Sequence, residues 1–498
     1  MKSIYKNSRN FQQVLAAISI LALLGSIISC KKFVEIPPPT TEIVTASVFN
    51  NDASANSAQL NIYNEMENAN QDLYFMSVNN GLLGDELTSY STNAWDVDFY
   101  TNAMNVNDIN GNGQQGGWQN AYNYIYQANA VTIGLQGTVG VTAVVKQQLT
   151  GEALFVRAFW YFHLTNCYGD VPLALTSDYT VTSKLSRIPR TQVLQQVIND
   201  LILADSLLSP NYLDATDTAQ TPERVRPNKP SAEALLARAY LYLGDYSKEP
   251  SNYSKAEQYA TSVIGNSLYA LGAFSGPNRV FLKNSTEAIW QLQVSPANLY
   301  NGATPEGYGF ILLGSPNGSQ SNTISPQLLN SFETGDNRRS QWIDSLITGN
   351  DTFYFPYKYQ YNSISAGGSV YEYTMVLRLA EQYLIRAEAE ADLGDLTGAA
   401  TDLNIIRNRA GLPNIADSIA SSQPLLLAAI LHERQVELFT ECGHRWFDLN
   451  RTGNINAVMS IVTPLKGGVW ISNGNQTLYP IPKSEIAADP NLTQNPGY

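Results

Sequence analysis

The stretch from Glu152 to Leu173, EALFVRAFWYFHLTNCYGDVPL, constrains the fold more than any other part of the chain. At helical spacing it carries two adjacent apolar stripes, formed by Leu154, Ala158, Tyr161 and Leu164 and by Phe155, Phe159 and Phe162. Because most of its circumference is apolar, other helices must cover it. Gly169 can take the left-handed position after the last turn, and Pro172 prevents continuation. We therefore predict a buried central helix in a large all-α domain.

Two later segments resemble each other and predict paired helices. Residues 232–265 and 380–411 both place small residues on one helix face and reach Leu-Gly-Asp before the second helix. This pattern is typical of tetratricopeptide-like pairs, in which small residues let helices approach closely. Because two irregular copies do not make a regular solenoid, we predict one large domain over residues 46–498, with long irregular loops and a few short strands. Alternating apolar residues predict one half-buried strand over 288–294.

The net charge and the aromatic content of the chain limit the classes of partner that it can bind. The chain has 498 residues and a net charge of −13, and its basic residues form no run, which argues against a nucleic-acid partner. Only 15% of residues are charged, whereas Tyr alone numbers 29. Such a surface suits an uncharged polar ligand, although most tyrosines are expected to fill helix interfaces.

The N-terminus has the pattern of a bacterial lipoprotein signal. Basic residues precede an apolar run from Val14 to Ile28, and a small residue then precedes Cys30. We predict a signal peptide over residues 1–29, lipid attachment at Cys30, and a stiff proline-rich tether within residues 30–45. The alternatives are an ordinary signal peptide or a short membrane helix followed by a chance cysteine.

Two regions rich in Gly, Asn and Ser, residues 79–117 and 295–322, are predicted as long loops that carry the ligand site. A sugar ring packs its C–H groups on an aromatic face, while its hydroxyls need amide or carboxylate partners. The candidate ligand-binding residues are Asn93, Trp95, Tyr300 and Tyr308, with Asp85 and Asp96 beside the first pair and Phe310 expected to be exposed near the second. For Trp95 the alternative is packing inside the loop.

The one candidate for catalysis is an acidic stripe, Glu433, Glu437 and Glu441, on a helix predicted over 430–442. Paired carboxylates could serve a glycoside hydrolase as acid and base. They could equally hold arginines in a structural ion-pair network, which we favour; the partners expected are Arg434, Arg445 or Arg451. The three histidines, His163, His432 and His444, make no two-histidine ligand pattern on a helix, and we expect neither a metal nor a cofactor.

Several motifs in order along the chain resemble the SusD/RagB family of outer-membrane nutrient-binding lipoproteins. They are Cys30 with the Pro-Pro-Pro-Thr-Thr that follows it, Arg157-Ala158 leading to Tyr168-Gly169-Asp170-Val171-Pro172-Leu173, Arg386-Ala387-Glu388-Ala389, Glu433-Arg434 with Glu437-Leu438, Arg445-Trp446-Phe447-Asp448-Leu449, Tyr479-Pro480-Ile481-Pro482, and the closing Asn491-Leu492-Thr493-Gln494-Asn495-Pro496-Gly497-Tyr498. One such motif is weak, but the ordered set is highly specific. These motifs belong to the scaffold and do not carry over as binding residues.

The resemblance implies an all-α fold with tetratricopeptide-like pairs and a ligand site on irregular loops. It also implies a non-enzymatic, surface-exposed lipoprotein of the outer membrane that captures oligosaccharides and delivers them to a SusC-like TonB-dependent transporter. Three alternatives remain open: a RagB-like protein that takes up peptides, a scaffold that binds only proteins, and a lipoprotein hydrolase that uses the acidic stripe.

Overall fold

The computed structural model describes residues 48–106, 117–274, 280–318, 320–364, 368–472 and 475–498. The helices in these residues are α1 (Asp52–Asn64), α2 (Asp72–Leu83), α3 (Ala94–Tyr100), α4 (Gly117–Gln136), α5 (Ala143–Tyr168), α6 (Tyr179–Thr182), α7 (Arg190–Leu207), α8 (Lys229–Ser247), α9 (Pro250–Ile264), α10 (Pro305–Phe310), α11 (Pro326–Ser331), α12 (Asn337–Gln341), α13 (Leu379–Leu393), α14 (Leu396–Arg409), α15 (Asp417–Ala420), α16 (Gln423–Leu438), α17 (His444–Arg451), α18 (Ile455–Leu465) and α19 (Lys483–Ala488). The strands are β1 (Leu87–Ser89), β2 (Ala288–Leu292), β3 (Asn322–Ile324), β4 (Ile343–Thr348), β5 (Asp351–Pro356) and β6 (Thr374–Arg378). The chain divides into two units, Met1–Val48 and Phe49–Tyr498, and all of these elements lie in the second.

The predicted central helix is confirmed as α5. Every residue from Gly151 to Tyr168 is buried, and Gly169, at φ +76°, ends the helix in a conformation that side chains rarely adopt. Phe155 and Phe159 present their rings edge-on to Trp290, with centroids 4.9 and 5.4 Å apart. The core therefore forms where α5 meets β2, and Trp290 belongs to it.

The large helices form a continuous array. α5 packs against α4 and α7, α7 against α8, α8 against α9, α9 against α13, and α13 against α14 and α16. The pairs α8–α9 and α13–α14 are the repeat-like pairs predicted from the sequence, and the mostly helical architecture confirms the predicted fold class. A Cβ on Gly244 would lie 2.7 Å from the ring of Tyr253, so the small residue lets α8 and α9 approach closely.

Three two-stranded antiparallel sheets lie in the described residues: β1 with β3, β2 with β6, and β4 with β5. The prediction of a half-buried strand over 288–294 is wrong for β2, all of which is buried, although Gln293 just after it is exposed. The Gln291 side chain, on the expected outer face, accepts a hydrogen bond from Asn284 N at 2.8 Å and donates to Leu282 O at 3.1 Å. The segment that contains Leu282 and Asn284 thus covers the face of β2 that the alternating sequence pattern predicts to be exposed to solvent.

The prediction of loops is wrong for parts of both loop regions. α2 continues to Leu83, α3 lies inside 79–117, and α10 lies inside 295–322. A tertiary contact accounts for the first difference, because the buried Asn80 of α2 accepts a hydrogen bond from the distant Tyr479 hydroxyl, while its amide donates within the helix to Met76 O. Residues 107–116 of the first region lie outside the described residues.

Candidate functional site

An open cavity of about 230 Å³ brings together the aromatic residues that the sequence singles out. α2, α3, α10 and β3 each contribute to its wall, together with the segments that precede α3 and α10. The residues that line it are Tyr74, Phe75, Val78, Asn93, Trp95, Asp96, Tyr300, Pro305, Tyr308, Gly309, Gly318, Ser321 and Asn322. All four candidate ligand-binding residues are therefore on one cavity, although two of them are separated from the other two by about 200 residues of sequence.

Tyr300 and Tyr308 form a stacked pair on this cavity. Their ring centroids are 4.4 Å apart and their planes differ by 28°. Thr304 starts α10 by accepting the Gly307 N–H at 2.9 Å, and this cap positions Tyr308 one residue later. The Tyr300 hydroxyl donates to Gln71 Oε1. Burial, with smaller contributions from Tyr308 and Glu306, raises the pKa of Tyr300 to about 12, so it remains a donor at neutral pH.

Trp95 lies half-buried in α3 with a polar group beside it. Its ring meets Phe99 edge-on at 6.2 Å, which supports it from below. The Asp96 carboxylate accepts the Ser91 hydroxyl at 2.5 Å and a hydrogen bond from the Asn93 side chain. Burial raises the pKa of Asp96, while these two hydrogen bonds lower it. The cavity thus offers an aromatic face next to an oriented carboxylate.

Gly309 is required at the junction of α10 and α2. A Cβ at this position would lie 2.2 Å from the Tyr74 hydroxyl oxygen, and Phe310 meets the Tyr74 ring edge-on at 5.4 Å. Phe310 is only 2% exposed, so the expectation that it is exposed is wrong. Its side chain instead anchors α10 against α2, and Tyr308, at 37% exposure, is the residue that faces outward.

Sequence reasoning missed Tyr74, Phe75 and Asn322. The first two lie on the helix α2, where aromatic residues are most often core, so residue type gave no signal. Asn322 opens β3, a buried strand at the end of the second predicted loop region that the sequence did not predict, so its residue type gave no signal either.

Asp85 does not belong to the cavity, although it was grouped with Trp95. It accepts two hydrogen bonds from Arg445, both at 2.8 Å, and is 4% exposed, so its role is structural. The predicted lipid attachment site, Cys30, with the signal peptide over residues 1–29 and the tether within 30–45, lies outside the described residues.

The acidic stripe forms buried ion pairs. Arg338 contacts Glu433 at 2.6 Å and Glu437 at 2.9 Å, and Arg378 contacts Glu437 at 2.6 Å and Glu441 at 2.7 Å. Although burial acts to raise the pKa of Glu437, the guanidinium groups around it hold that pKa well below its usual range. This favours the structural interpretation over acid–base catalysis, because a catalytic acid needs a raised pKa.

Two details of that prediction are wrong. α16 ends at Leu438, so Glu441 lies after the helix. The partners are also not the expected arginines, which pair with other carboxylates: Arg434 with Asp448, Arg445 with Asp85, and Arg451 with Asp245, Glu388 and Asp448. Helical spacing gave the geometry of the stripe, but its partners come from distant segments.

A larger cavity of about 520 Å³ lies against α8, α13, α16 and α17. Asp245, Glu388 and Asp392 border it with oxygen atoms within 4.8 Å of one another. Two of these carboxylates are already engaged, because Arg451 contacts Asp245 at 2.5 Å and Glu388 at 2.6 Å. We assign no metal to this cluster, and neither His432 nor His444 belongs to it.

Among the residues that the structure describes, no helix has both the length and the apolar character needed to cross a bilayer.

Comparison with known proteins gives matches along most of the chain. A family model for the SusD family matches residues 338–498, and a second, described as starch-binding and associating with the outer membrane, matches residues 32–241. SusD-like protein P25 of Formosa agariphila is 24% identical over 95% of this chain and 96% of its own length. The starch-binding protein SusD of Bacteroides thetaiotaomicron is 25% identical over 75% of this chain and 77% of its own.

Solved structures share the fold. A SusD superfamily protein from Parabacteroides distasonis superposes with a TM-score of 0.72 at 22% identity, covering 92% of this chain and all of that one. A laminarin-binding SusD-like protein gives a TM-score of 0.68 at 24% identity, over 90% of this chain and 99% of that one.

Proposed function

The chain belongs to the SusD-like family of starch- and glycan-binding proteins, and from this premise we propose that it captures oligosaccharides at the outer membrane and delivers them to a SusC-like TonB-dependent transporter for import. The family is associated with the outer membrane. The surface location, the lipid anchor at Cys30 and the transporter partner are parts of the proposal.

The observation that carries the proposal is the stacked pair Tyr300–Tyr308 on the same cavity as Trp95. Aromatic faces bind the C–H groups of a pyranose ring, and the polar groups of Asn93 and Asp96 lie beside Trp95 to receive hydroxyls. This combination of aromatic platform and planar polar groups is the chemistry that a neutral sugar requires. One relative with the same fold is described as laminarin-binding, and another as starch-binding, which supports the choice of glycan as the ligand class.

Binding without catalysis fits the acidic stripe and Asp96 better than hydrolysis does. The acidic stripe is shielded from any substrate, since Glu433 and Glu437 are fully buried and all three carboxylates contact arginine or lysine side chains. Among the described residues that line the cavity, the carboxylate is that of Asp96, which is held by Ser91 and Asn93. We therefore propose capture and transfer, in which a lipid tether keeps the protein close to its transporter and raises the effective concentration of the pair.

The test is native affinity electrophoresis of the full-length chain in detergent, through gels that contain starch, laminarin or other polysaccharides. We expect retardation by at least one polysaccharide and its relief by Trp95→Ala, because loss of a stacking ring typically removes about 1–3 kcal/mol of binding. Trp470→Ala is the matched control, since Trp470 is also half-buried but does not line the cavity.

Two outcomes would contradict the proposal. If no polysaccharide retards the wild-type chain, the ligand is a peptide or the site is completed only by another protein. If Trp95→Ala and Trp470→Ala migrate alike in the gel that retards the wild type, the glycan site lies elsewhere on the protein.

A further inference from the structure

Asn322 is an unusual member of the cavity wall. The residue is 6% exposed, and its Oδ1 is buried with no hydrogen-bond partner in the part of the chain that the structure describes. Buried acceptors are almost always paired, because leaving one unpaired costs the desolvation of the group. This acceptor therefore needs a donor that the described residues do not supply.

The backbone holds Asn322 in place. It pairs with Ser89 in the β1–β3 ladder, and on its N-terminal side Ser321 O accepts the Tyr90 N–H at 2.7 Å. Because the strand is fixed at this point, the backbone of Asn322 cannot shift toward a new partner without breaking the ladder. A group that enters the cavity is then the natural donor, and a sugar hydroxyl provides one O–H at each position around the ring.

The charge of the cavity wall favours uncharged sugars over anionic ones. Asp96 contributes a carboxylate, and no lysine or arginine is found among the described residues that line the cavity. A uronate or sulfate group would enter a partly water-excluded space beside this carboxylate with no cation to receive it, which is unfavourable. An uncharged sugar meets no such repulsion.

Given the proposed glycan-binding function, on which this step rests, we propose that the cavity selects an uncharged sugar unit and that Asn322 Oδ1 accepts a hydrogen bond from one of its hydroxyl groups. Asn322 then orients the sugar by requiring a hydroxyl donor at one place in the cavity, and Asp96 provides the selectivity by excluding anionic sugars. The aromatic residues Trp95, Tyr300 and Tyr308 supply the stacking surface, which by itself discriminates little between sugars.

The experiment compares neutral and acidic polysaccharides with the full-length chain in detergent. Native gels contain laminarin or starch on one side and alginate or polygalacturonate on the other. The variants are Asn322→Leu, Asp96→Asn and, as a control on the same segment, Asn317→Leu, whose side chain is exposed and does not line the cavity. Thermal unfolding of each variant reports on folding.

We expect the wild type to be retarded by a neutral polysaccharide and by neither acidic one. Asn322→Leu should weaken retention roughly three- to tenfold, the usual loss for one hydrogen bond, while Asn317→Leu retains wild-type affinity. Asp96→Asn should reduce the discrimination against the acidic polysaccharides.

Retention by an acidic polysaccharide would overturn the charge selection, and this comparison needs no variant. Wild-type retention of a neutral polysaccharide by a folded Asn322→Leu would overturn the role of Asn322. Failure of every polysaccharide to retard the wild type is a different result, because it rejects the proposed glycan function itself together with this inference.

Discussion

Three buried side chains near Tyr300 must share hydrogens, namely Glu67, Glu306 and Thr374. The Thr374 hydroxyl oxygen lies 2.7 Å from Glu67 Oε1 and 3.2 Å from Glu306 Oε2. One hydroxyl hydrogen satisfies only one carboxylate, so the other carboxyl must bring its own proton. Burial raises the pKa of Glu306 to about 7, and burial followed by the charge of Glu306 raises that of Glu67. Glu306 lies on α10 two residues before Tyr308, so its charge state acts directly on the helix that carries the site.

This arrangement predicts that the free energy of unfolding falls as the pH becomes alkaline. The folded-state pKa of Glu306 lies above its ordinary value of 4.5, so the folded state binds more protons between about pH 4.5 and 7. The stabilising protonation is complete below this window and is lost as pH rises through about 7. We expect Glu306→Gln to remove this part of the pH dependence. The free energy of unfolding of the variant, relative to that of the wild type, should then be higher at pH 8 than at pH 5 by on the order of 2 kcal/mol. Urea denaturation at both pH values measures it.

Glu249→Gln is the matched control for this prediction, because Glu249 is exposed at the start of α9. It should keep the wild-type pH profile. An unchanged profile in Glu306→Gln would show that the shared proton does not limit stability.

For single residues, the type of side chain was enough to choose candidates from the sequence, whereas the contacts of individual atoms were not readable from it. Aromatic and amide residues in Gly- and Asn-rich sequence identified Asn93, Trp95, Tyr300 and Tyr308, and the structure places all four on one cavity. Asn322 was missed because its importance depends on an unpaired atom, which is a property of the fold and not of the residue type.

Among the elements, α2 shows why some local predictions failed. The last carbonyls of a helix need donors, and here Lys466 Nζ supplies them to Leu82 O, Leu83 O and Gly84 O at 2.8, 3.1 and 3.0 Å. This cap comes from almost 400 residues away, so no local pattern reveals where α2 ends. By contrast α5 ends at its own Gly169 and α13 at its own Gly394, and both ends were predictable from the sequence.

We expect Lys466→Met to destabilise the end of α2. The methionine keeps the apolar stem but removes the Lys466 donor from all three carbonyls, of which Leu83 O still accepts from the Asn102 side chain at 2.8 Å. We expect a cost of about 1–3 kcal/mol. Burial lowers the pKa of Lys466 to about 7, so part of the effect should depend on pH. Hydrogen exchange of the α2 amides and urea denaturation measure the change, with Lys483→Met at an exposed position as control. Equal protection of α2 in both variants would contradict the cap.

For the whole molecule, buried ion pairs join segments that are far apart in sequence. Arg378, at the end of β6, contacts Glu287 ahead of β2 at 2.9 Å and Glu437 at the end of α16 at 2.6 Å. Arg409 at the end of α14 contacts Glu287 at 2.8 Å and also Glu437. Removing one charged side chain from such a network destabilises the fold more than replacing all of its members by apolar residues, because the remaining charges stay buried without a partner.

Glu437→Gln therefore tests whether the acidic stripe stabilises the fold or acts as the catalytic group of a hydrolase. The substitution leaves Arg338, Arg378 and Arg409 with less compensating charge, and we expect it to lower the free energy of unfolding by about 3–5 kcal/mol. The Trp95 cavity does not include Glu437, so polysaccharide retention below the unfolding temperature should stay at the wild-type level. Urea denaturation, native gels and a reducing-sugar assay on one preparation separate the two interpretations, with Glu249→Gln again as control. If the wild type released reducing sugar and Glu437→Gln stopped this without loss of stability, the acidic stripe would be catalytic.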